Sequence, residues 1–381
     1  MDTTNTTGQK ERWMSLDAMR GLVMISIIGL GHLITKLFLY SESEGWRKVW
    51  NTLNMQMQHA KWHGLTFFDI ILPLFIFVSG MTLGVANRSL IGKPFKEKLS
   101  PTLKAVKRLI ILIMLGLVFN HASGAYWPDS LENMRCASVL GMIGFAWFVA
   151  AMLTWHSTNR MIIIVALLIA VLIPSLRFII HVPDHGEWQF TPAGSLNALV
   201  DTVLLPGATY SNGYSDPEGI LSIIASVVMA LCGVLAGKWL ANKQTAPVLR
   251  ISGLVAAGSV FMACGWLLDV AIPINKYLWT MSYVIVSTGC CAIIAALFHY
   301  LFDVVKLRWL SLPFVAVGAN CILIYMLFKL VSWPHIAKSI LGWSLPIYTD
   351  RFQPVAMSFY ILMLQILLAV WLYQRRIFIK A

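Results

Sequence analysis

The stretch "HAKWHGLTFFDIILPLFIF", residues 59–77, decides the fold because a short polar segment leads directly into an apolar run. The run continues to Ala86 and exceeds the ~20 residues that a helix needs to cross the hydrocarbon core of a bilayer. It nevertheless carries one carboxylate, Asp69, near its start and shortly after two histidines, His59 and His63. Because ionisable groups inside a membrane are costly, Asp69 is a candidate functional residue.

The composition of the whole chain agrees with a membrane protein. Only 12% of the 381 residues are charged and 58% are hydrophobic, which excludes an ordinary water-soluble domain. Residues 1–15 are polar, lack the apolar core of a cleavable signal and are expected to form a cytoplasmic N-terminal tail. We expect one transmembrane domain over residues 16–376 and a cytoplasmic C-terminal tail over 377–381. The six cysteines show no C-x-x-C spacing, so neither disulfides nor a zinc site is expected.

Hydropathy predicts an all-α, polytopic membrane helix bundle with about ten transmembrane helices. One segment, Leu109–Phe119, is short and must extend through Lys107 and Arg108, whose long side chains can snorkel to the surface. Ile336–Leu345, which lies between two prolines, is too short to cross and is expected to be re-entrant or interfacial. The nine longer segments are Leu22–Tyr40, Leu65–Ala86, Cys136–Trp155, Met161–Ile180, Ile220–Leu240, Ile251–Ile272, Leu278–Leu301, Trp309–Val331 and Val355–Tyr373.

The distribution of lysine and arginine predicts the orientation of the bundle. If the N-terminus is cytoplasmic, nineteen of the twenty-nine Lys and Arg residues fall on the cytoplasmic side, in agreement with the positive-inside rule. The longest outer loop, residues 181–217, instead carries four acids. Both termini are therefore predicted to be cytoplasmic, and His59 is predicted to face outward. Because the basic residues behind the net charge of +12 are scattered over short loops, no nucleic-acid partner is expected.

The pair of His59 and Asp69 allows three interpretations. His59 can act as a general base near neutral pH, with Asp69 orienting its ring and stabilising its charged form. On one continuous helix their separation in sequence corresponds to about 15 Å, so this role requires the His59 segment to fold back over the bundle. Alternatively, the histidines belong to an interfacial aromatic belt with Trp62. A metal site on His59 and His63 lacks a third ligand, and no metal is expected.

Further polar residues, most of them at the same outer side, are candidates for binding a substrate. Simpler roles also fit several: Asp216 suits helix capping, "PINKYLW" (residues 273–279) suits a tight connection, and Asn320 suits helix packing. Hydrolase and nucleotide-driven functions are less favoured, because no G-x-S-x-G, Walker or G-x-G-x-x-G sequence is present. The candidate substrate-binding residues are His32, Asn120, Arg135, Asp216, Glu218, Asn275, Lys276 and Asn320.

Five sequence blocks occur in order along most of the chain. They are "LDAMRGLVM" (16–24), "QHAKWHGLTFFDIILPLFIFVSG" (58–80), "SDPEGILSIIASVVMALCGVLAGKWL" (215–240), "IPINKYLWTMSYV" (272–284) and "PFVAVGANCILIY" (313–325). In content and spacing these blocks resemble the transmembrane N-acetyltransferase family typified by heparan-α-glucosaminide N-acetyltransferase, which has bacterial relatives linked to N-acetylglucosamine use. The D-P-E-G-I-L and H-A-x-W-x-G-L-T blocks are the most specific, whereas R-G-L is shared with a wider acyltransferase superfamily.

The resemblance implies transfer of acetyl from cytosolic acetyl-CoA, across a bacterial inner membrane, to the amine of a glucosamine-type sugar or glycan outside. The family's active histidine corresponds to His59 and the acid of its block to Asp69, so His59 is expected to be a general base or acetyl carrier. Basic residues near the inner ends would hold the coenzyme phosphates, with Arg88, Lys238 and Arg308 as candidates. Membrane lipid would surround the bundle. A homodimer is compatible with the family, although no residue marks an interface.

The chain departs from the family pattern at three places, and two other functions stay open. Gly31 and His32 stand where an asparagine is common, Ser138–Met142 stands where G-V-L-Q-R is common, and Phe328 stands where a histidine is common. An O-acyltransferase for envelope polysaccharide would use His32, twelve residues after Arg20, as its base. An amino-sugar transporter would explain the polar residues and the Pro- and Gly-interrupted segments, but the two halves show no repeat.

Overall fold

A computed structural model describes residues 13–122, 130, 132–180, 182 and 190–379. These ranges contain helices, turns and one isolated bridge, but no β-strand. Two π-helical segments, Ser26–Leu30 and His299–Val304, continue α1 and α11. The α-helices are α1 (Met14–Ile25), α2 (Gly31–Tyr40), α3 (Glu44–Gln56), α4 (Phe67–Ala86), α5 (Phe95–His121), α6 (Val139–His156), α7 (Asn159–Ile179), α8 (Leu196–Leu204), α9 (Ile220–Leu240), α10 (Pro247–Leu268), α11 (Met281–Phe298), α12 (Arg308–Ala319), α13 (Cys321–Leu330), α14 (Trp333–Leu341) and α15 (Gln353–Gln374).

The predicted polytopic helix bundle is confirmed. In the described chain, eight helices are long and apolar enough to cross a membrane, or nine when α12 and α13, bent by 68°, count as one span. The predicted tenth crossing is α5, whose 27 residues make it about 40 Å long. Its apolar run is interrupted by three basic residues, Lys104, Lys107 and Arg108. A count of membrane spans by apolar composition therefore omits α5. The predicted short segment Ile336–Leu345 falls on α14 and the 3₁₀ turn Gly342–Ile347 that follows it.

Helices α4 and α9 form the centre of the bundle and are the most deeply buried spans. Each carries two glycines four residues apart, Gly80 and Gly84 on α4 and Gly233 and Gly237 on α9. A Cβ atom on Gly80 would lie 2.0 Å from the carbonyl oxygen of Ala230, and the other three glycines are equally close to the facing backbone. Small residues at this spacing let two helix backbones approach within a membrane, where packing rather than hydrophobic burial drives association.

The direction of the helices brings six helix ends together. Helices α4, α6, α9 and α11 begin at the end of the bundle where α5 and α10 finish, as contacts between their flanking residues demonstrate. The positive-inside prediction assigns this end to the outer face. The polar residues that precede these helices in the sequence therefore meet in one place.

Candidate active site

The start of α4 holds Asp69 and His59 together. Thr66 caps this helix, and Asp69, in its first turn, completes a capping box by accepting the Thr66 backbone N–H at 3.1 Å. The preceding residues leave helical geometry and fold back, so that the backbone N–H of Ala60 donates to the same carboxylate oxygen at 3.1 Å. His59 Nδ1 lies 2.7 Å from the other oxygen of Asp69. The fold-back that the sequence argument required is present.

This contact orients the ring of His59. A carboxylate only accepts hydrogen bonds, so the contact with Asp69 requires the proton on Nδ1, and in that tautomer Nε2 is the acceptor. Asp69 is completely buried, whereas the His59 side chain is 53% exposed. A buried acid therefore orients an accessible imidazole, which is the arrangement that a general base or a nucleophilic histidine requires.

Lys276 is the third member of this cluster. It lies in the turn between α10 and α11, with Nζ 2.9 Å from His59 Nδ1, 3.3 Å from His59 Nε2 and 3.5 Å from Asp69 Oδ1. Burial lowers the pKa of Lys276 from its ordinary value, while the nearby charges of Asp69 and Glu218 oppose that shift. The turn thus places a lysine amine within 3.3 Å of both nitrogens of the imidazole.

A second cluster joins Arg135 to the segment that precedes α9. Arg135 Nε and Nη2 each lie 2.7 Å from one oxygen of Asp216, and Nη2 also donates to Glu218. Burial alone lowers the pKa of Arg135, but both acids outweigh it and raise that pKa overall. Asp216 is fully buried and its N–H donates to Asp201. Burial raises the pKa of Glu218, and Arg135 opposes this change. The bidentate pair fixes this segment and leaves Glu218 facing the interior.

A cavity of about 230 Å³ connects the two clusters. His59, Lys276 and Glu218 form its polar end, and the rest of its lining is almost entirely apolar. The cavity extends from these residues toward the middle of the bundle between α1, α4, α5, α6 and α13. The apolar wall includes Met24, Phe75, Phe119, Ile143 and Tyr325.

Two arginines that the sequence argument did not assign to the site lie inward of this cavity. Arg20 is one helical turn before Met24, a lining residue, and its Nη2 donates to Thr82 at 2.6 Å. Arg108 lies with its guanidinium 4.1 Å from the ring centroid of Trp147, and its Nε has no hydrogen-bond partner among the described residues. The two charges interact electrostatically. Neither guanidinium lines the cavity, and Arg20 is also paired with Asp17 at 3.3 Å.

Two asparagines predicted to bind substrate instead hydrogen-bond to the backbone beside the two clusters. Asn120 Nδ2 donates to the backbone carbonyls of Arg135 and Ala137, at 3.1 and 2.7 Å, and so positions the arginine. Asn275 is buried, and its Oδ1 accepts the N–H of Leu278 at 2.8 Å, which closes the turn that carries the lysine. Neither asparagine lines the cavity. Their contacts indicate a positioning role.

Two other predicted residues lie away from these clusters. Asn320 occupies the bend between α12 and α13, where its side chain bonds the carbonyl of Ile377 and the N–H of Ile379, each at 3.0 Å. It therefore holds the segment after α15. His32 lies on an exposed face of α2 and does not line the cavity. The structure therefore does not bring His32 and Asn320 together with His59.

Two of the three predicted coenzyme-binding residues, Arg88 and Lys238, do not line the cavity either. Arg88, after α4, lies 5.7 Å from the ring of Trp155, and Lys238, in the last turn of α9, donates to Asn159 at 2.6 Å. The side chain of Arg308 lies outside the described part of the structure. A coenzyme role for these three residues stays a prediction.

The two histidines of the opening stretch bind different carboxylates. His63 Nε2 lies 2.8 Å from Asp269, whereas His59 contacts Asp69. Within the described residues, no three His, Cys, Asp or Glu side chains form a group suited to a metal. His59 and His63 therefore belong to two separate histidine–carboxylate pairs.

Comparison with known proteins agrees with the resemblance seen in the sequence. No protein-family model matches the chain. Heparan-alpha-glucosaminide N-acetyltransferase from Mus musculus is 26% identical over 374 aligned positions, which cover 83% of this chain and 53% of that protein. The Homo sapiens protein of the same name is 24% identical and covers 83% and 52%. The chain spans about half the length of these curated relatives. This similarity is consistent with the family of transmembrane N-acetyltransferases.

Proposed function

We propose that this chain is a transmembrane acetyltransferase that moves an acetyl group from cytosolic acetyl-CoA to the amine of a glucosamine-type sugar on the outer face. The observation that carries the proposal is the cluster of His59, Asp69 and Lys276 at the polar end of an apolar cavity inside the bundle. The similarity to two N-acetyltransferases over 83% of the chain supports the reaction class.

In this proposal, His59 moves protons during acetyl transfer. The neutral amine of the acceptor attacks the thioester carbonyl carbon and passes a proton to His59 Nε2, while Asp69 stabilises the imidazolium through Nδ1. The carbon–sulfur bond then breaks, and the departing thiolate takes that proton. Alternatively, Nε2 itself accepts the acetyl group before the amine does. In both routes the ring must keep the tautomer that Asp69 imposes.

Lys276 supplies positive charge where the reaction develops negative charge. Attack on a thioester places a negative charge on its carbonyl oxygen, and a fixed cationic donor stabilises that oxygen in the transition state. Lys276 Nζ lies 3.3 Å from His59 Nε2, so a carbonyl bound against Nε2 is within reach of the ammonium. We assign Lys276 to the oxyanion rather than to the sugar alone.

Glu218 and Arg135 are the proposed acceptor-binding residues. Glu218 shares the polar end of the cavity with His59 and Lys276, and its carboxylate can accept a hydrogen bond from the neutral amine of an incoming amino sugar. Arg135 fixes Glu218 through a direct ion pair. The exposed side of the same cluster faces the outer loops, from which a sugar can approach.

The cavity and the two inward arginines suit the coenzyme. Its apolar walls fit an extended thioester arm, and Arg20 and Arg108 place two guanidinium groups where phosphates of a cytosolic coenzyme would lie. This assignment adds Arg20 and Arg108 to the coenzyme-binding residues predicted from the sequence. It also agrees with a cytoplasmic N-terminus, because α1 then carries Arg20 near the inner face.

Mass spectrometry of products tests the proposal. Purified protein is reconstituted in lipid vesicles and incubated with acetyl-CoA inside and glucosamine outside. We expect N-acetylglucosamine outside and free coenzyme A inside, with neither formed when acetyl-CoA is omitted. Accumulation of unmodified sugar inside the vesicles would instead establish transport, and an O-acetylated product would exclude the amine as acceptor.

A further inference from the structure

A second cavity lies at the opposite end of the bundle. Helix α9 begins beside the site and ends 21 residues later, roughly 30 Å away. There, a space of about 830 Å³ opens between the start of α1, the loop from α9 to α10 and the π-helical segment after α11. Three cations, Lys243, Arg250 and Lys306, line it together with His299. Asp303 is the one acid among the described lining residues, so this space is strongly positive.

The acid of this cavity is already engaged, whereas one nitrogen of its histidine is not. Asp303 accepts the N–H of Met14 at 3.0 Å and the hydroxyl of Ser15, and it contacts His299 Nδ1 at 3.0 Å. His299 is only 5% exposed and stacks on Trp13, with ring centroids 4.9 Å apart. Its Nε2 has no hydrogen-bond partner within the described chain. A buried polar atom without a partner, in a cationic space, indicates a missing polar ligand.

A separate apolar groove of about 500 Å³ lies farther along α10, where α10 packs beside α9 and α11. Arg250 lines the cavity, and Leu254, Ala257 and Phe261 line the groove. These residues are three or four apart and therefore share one face of α10. Trp239 Nε1 donates to the carbonyl of Arg250 at 2.9 Å, which joins α9 to α10 at the boundary between the two spaces. The charged cavity and the apolar groove are thus neighbours along one face of α10.

We propose that the cavity and the groove together bind one anionic phospholipid. The headgroup phosphate lies among Arg250, Lys243 and Lys306, and one acyl chain lies along the groove between α9 and α10. The charge of the cavity selects a lipid with net negative charge, because a choline group would meet three cations. The groove distinguishes a lipid from a free anion, because an inorganic or sugar phosphate has nothing to fill it. This proposal is independent of the acetyl-transfer reaction.

Native mass spectrometry of the full-length, delipidated protein in detergent tests the site. Phosphatidylglycerol, phosphatidylcholine and free glycerol 3-phosphate are added separately. We expect phosphatidylglycerol to be retained at least about tenfold better than phosphatidylcholine, and glycerol 3-phosphate not to displace it. Equal retention of both lipids would overturn the charge selection, and displacement by glycerol 3-phosphate would identify a free-anion site instead.

Matched variants separate the two halves of the site. The double change Lys243→Gln with Lys306→Gln should weaken phosphatidylglycerol retention by about fivefold per lysine, whereas Lys338→Gln, on exposed α14, should not. Ala257→Phe fills the groove and should lower retention, whereas Val255→Phe, two positions earlier at a 38% exposed residue that does not line the groove, should not. An equal loss in each control, or wild-type retention in both test variants, would refute the proposal.

Discussion

His59 Nδ1 lies 2.7 Å from Asp69 Oδ1, although the two residues belong to different local structures. Asp69 belongs to the first turn of α4, where it completes the capping box with Thr66, while His59 belongs to the segment that folds back before the helix. One carboxylate therefore fixes both the start of a transmembrane helix and the tautomer of an accessible imidazole. The local structure at the start of α4 and the proposed chemistry of His59 therefore depend on the same buried carboxylate.

Replacing this acid should separate its two functions. Asp69→Asn keeps the size of the side chain and part of the helix cap, so we expect a loss of about 1 kcal/mol in stability. The amide, however, no longer imposes a proton on His59 Nδ1, and kcat should fall about 100- to 10,000-fold. Steady-state kinetics and thermal unfolding measure the two effects. If only KM for the sugar changes, Asp69 is a ligand for the substrate and not a positioning residue.

The lysine beside His59 should shape the alkaline limb of the pH–rate profile. Because burial lowers its pKa, Lys276 loses its proton at a pH below the ordinary lysine value of 10.5. If the ammonium stabilises the oxyanion, activity declines as the pH rises through this lowered pKa. Lys276→Arg keeps the charge and should move the decline to higher pH, whereas Lys276→Met should lower kcat at every pH. An unchanged alkaline limb in Lys276→Arg would contradict the assignment.

The two inward arginines should act on the coenzyme alone. Arg108→Gln should raise KM for acetyl-CoA about tenfold or more, because a charge-assisted contact to phosphate contributes about 1.5–3 kcal/mol. With acetyl-pantetheine, which lacks the nucleotide phosphates, wild type and variant should react equally. Lys107→Gln, which removes an exposed charge one residue earlier on α5, is the matched control. A similar KM increase with acetyl-pantetheine would show that Arg108 supports the fold rather than the phosphates.

The ion pair between Arg135 and Asp216 should be required for stability as well as activity. Arg135→Met leaves Asp216 buried without its bidentate partner, which we expect to cost about 3–5 kcal/mol. Asp216→Asn in the same background should recover part of that loss, because the uncompensated charge is then removed. Thermal unfolding of both single variants and the double variant measures the coupling. Additive losses would mean that the pair contributes no interaction of its own.

The spans were predictable because long apolar runs mark them directly. The run Ile220–Leu240 coincides with α9, and the predicted start of the second span lies two residues from the start of α4. The distribution of Lys and Arg predicted that these polar helix ends share the outer side of the bundle. We could therefore expect, in outline, that four residues would lie close together: His59, Arg135, Glu218 and Lys276. The fold-back of His59 was expected only as a condition of its role as a base, because a continuous helix would place it about 15 Å from Asp69.

The orientation of side chains around a span could not be predicted in the same way. A span that is apolar on all sides has no periodicity that marks its inner face, so Arg108 was interpreted as a snorkelling residue. The structure turns it onto Trp147 instead. Asn320 was predicted as a candidate for substrate binding or helix packing, and its partners, Ile377 and Ile379, lie more than fifty residues later in the chain. Contacts at that separation leave no local signal.

The most direct test of the central claim compares two histidines of the same loop. His59 and His63 each contact a carboxylate and are about equally exposed, but only His59 lines the cavity. The initial rate of acetyl transfer from acetyl-CoA to glucosamine is measured for His59→Ala and His63→Ala at equal amounts of folded protein. We predict that His59→Ala abolishes transfer while His63→Ala retains most of it. Full activity in His59→Ala would contradict the account.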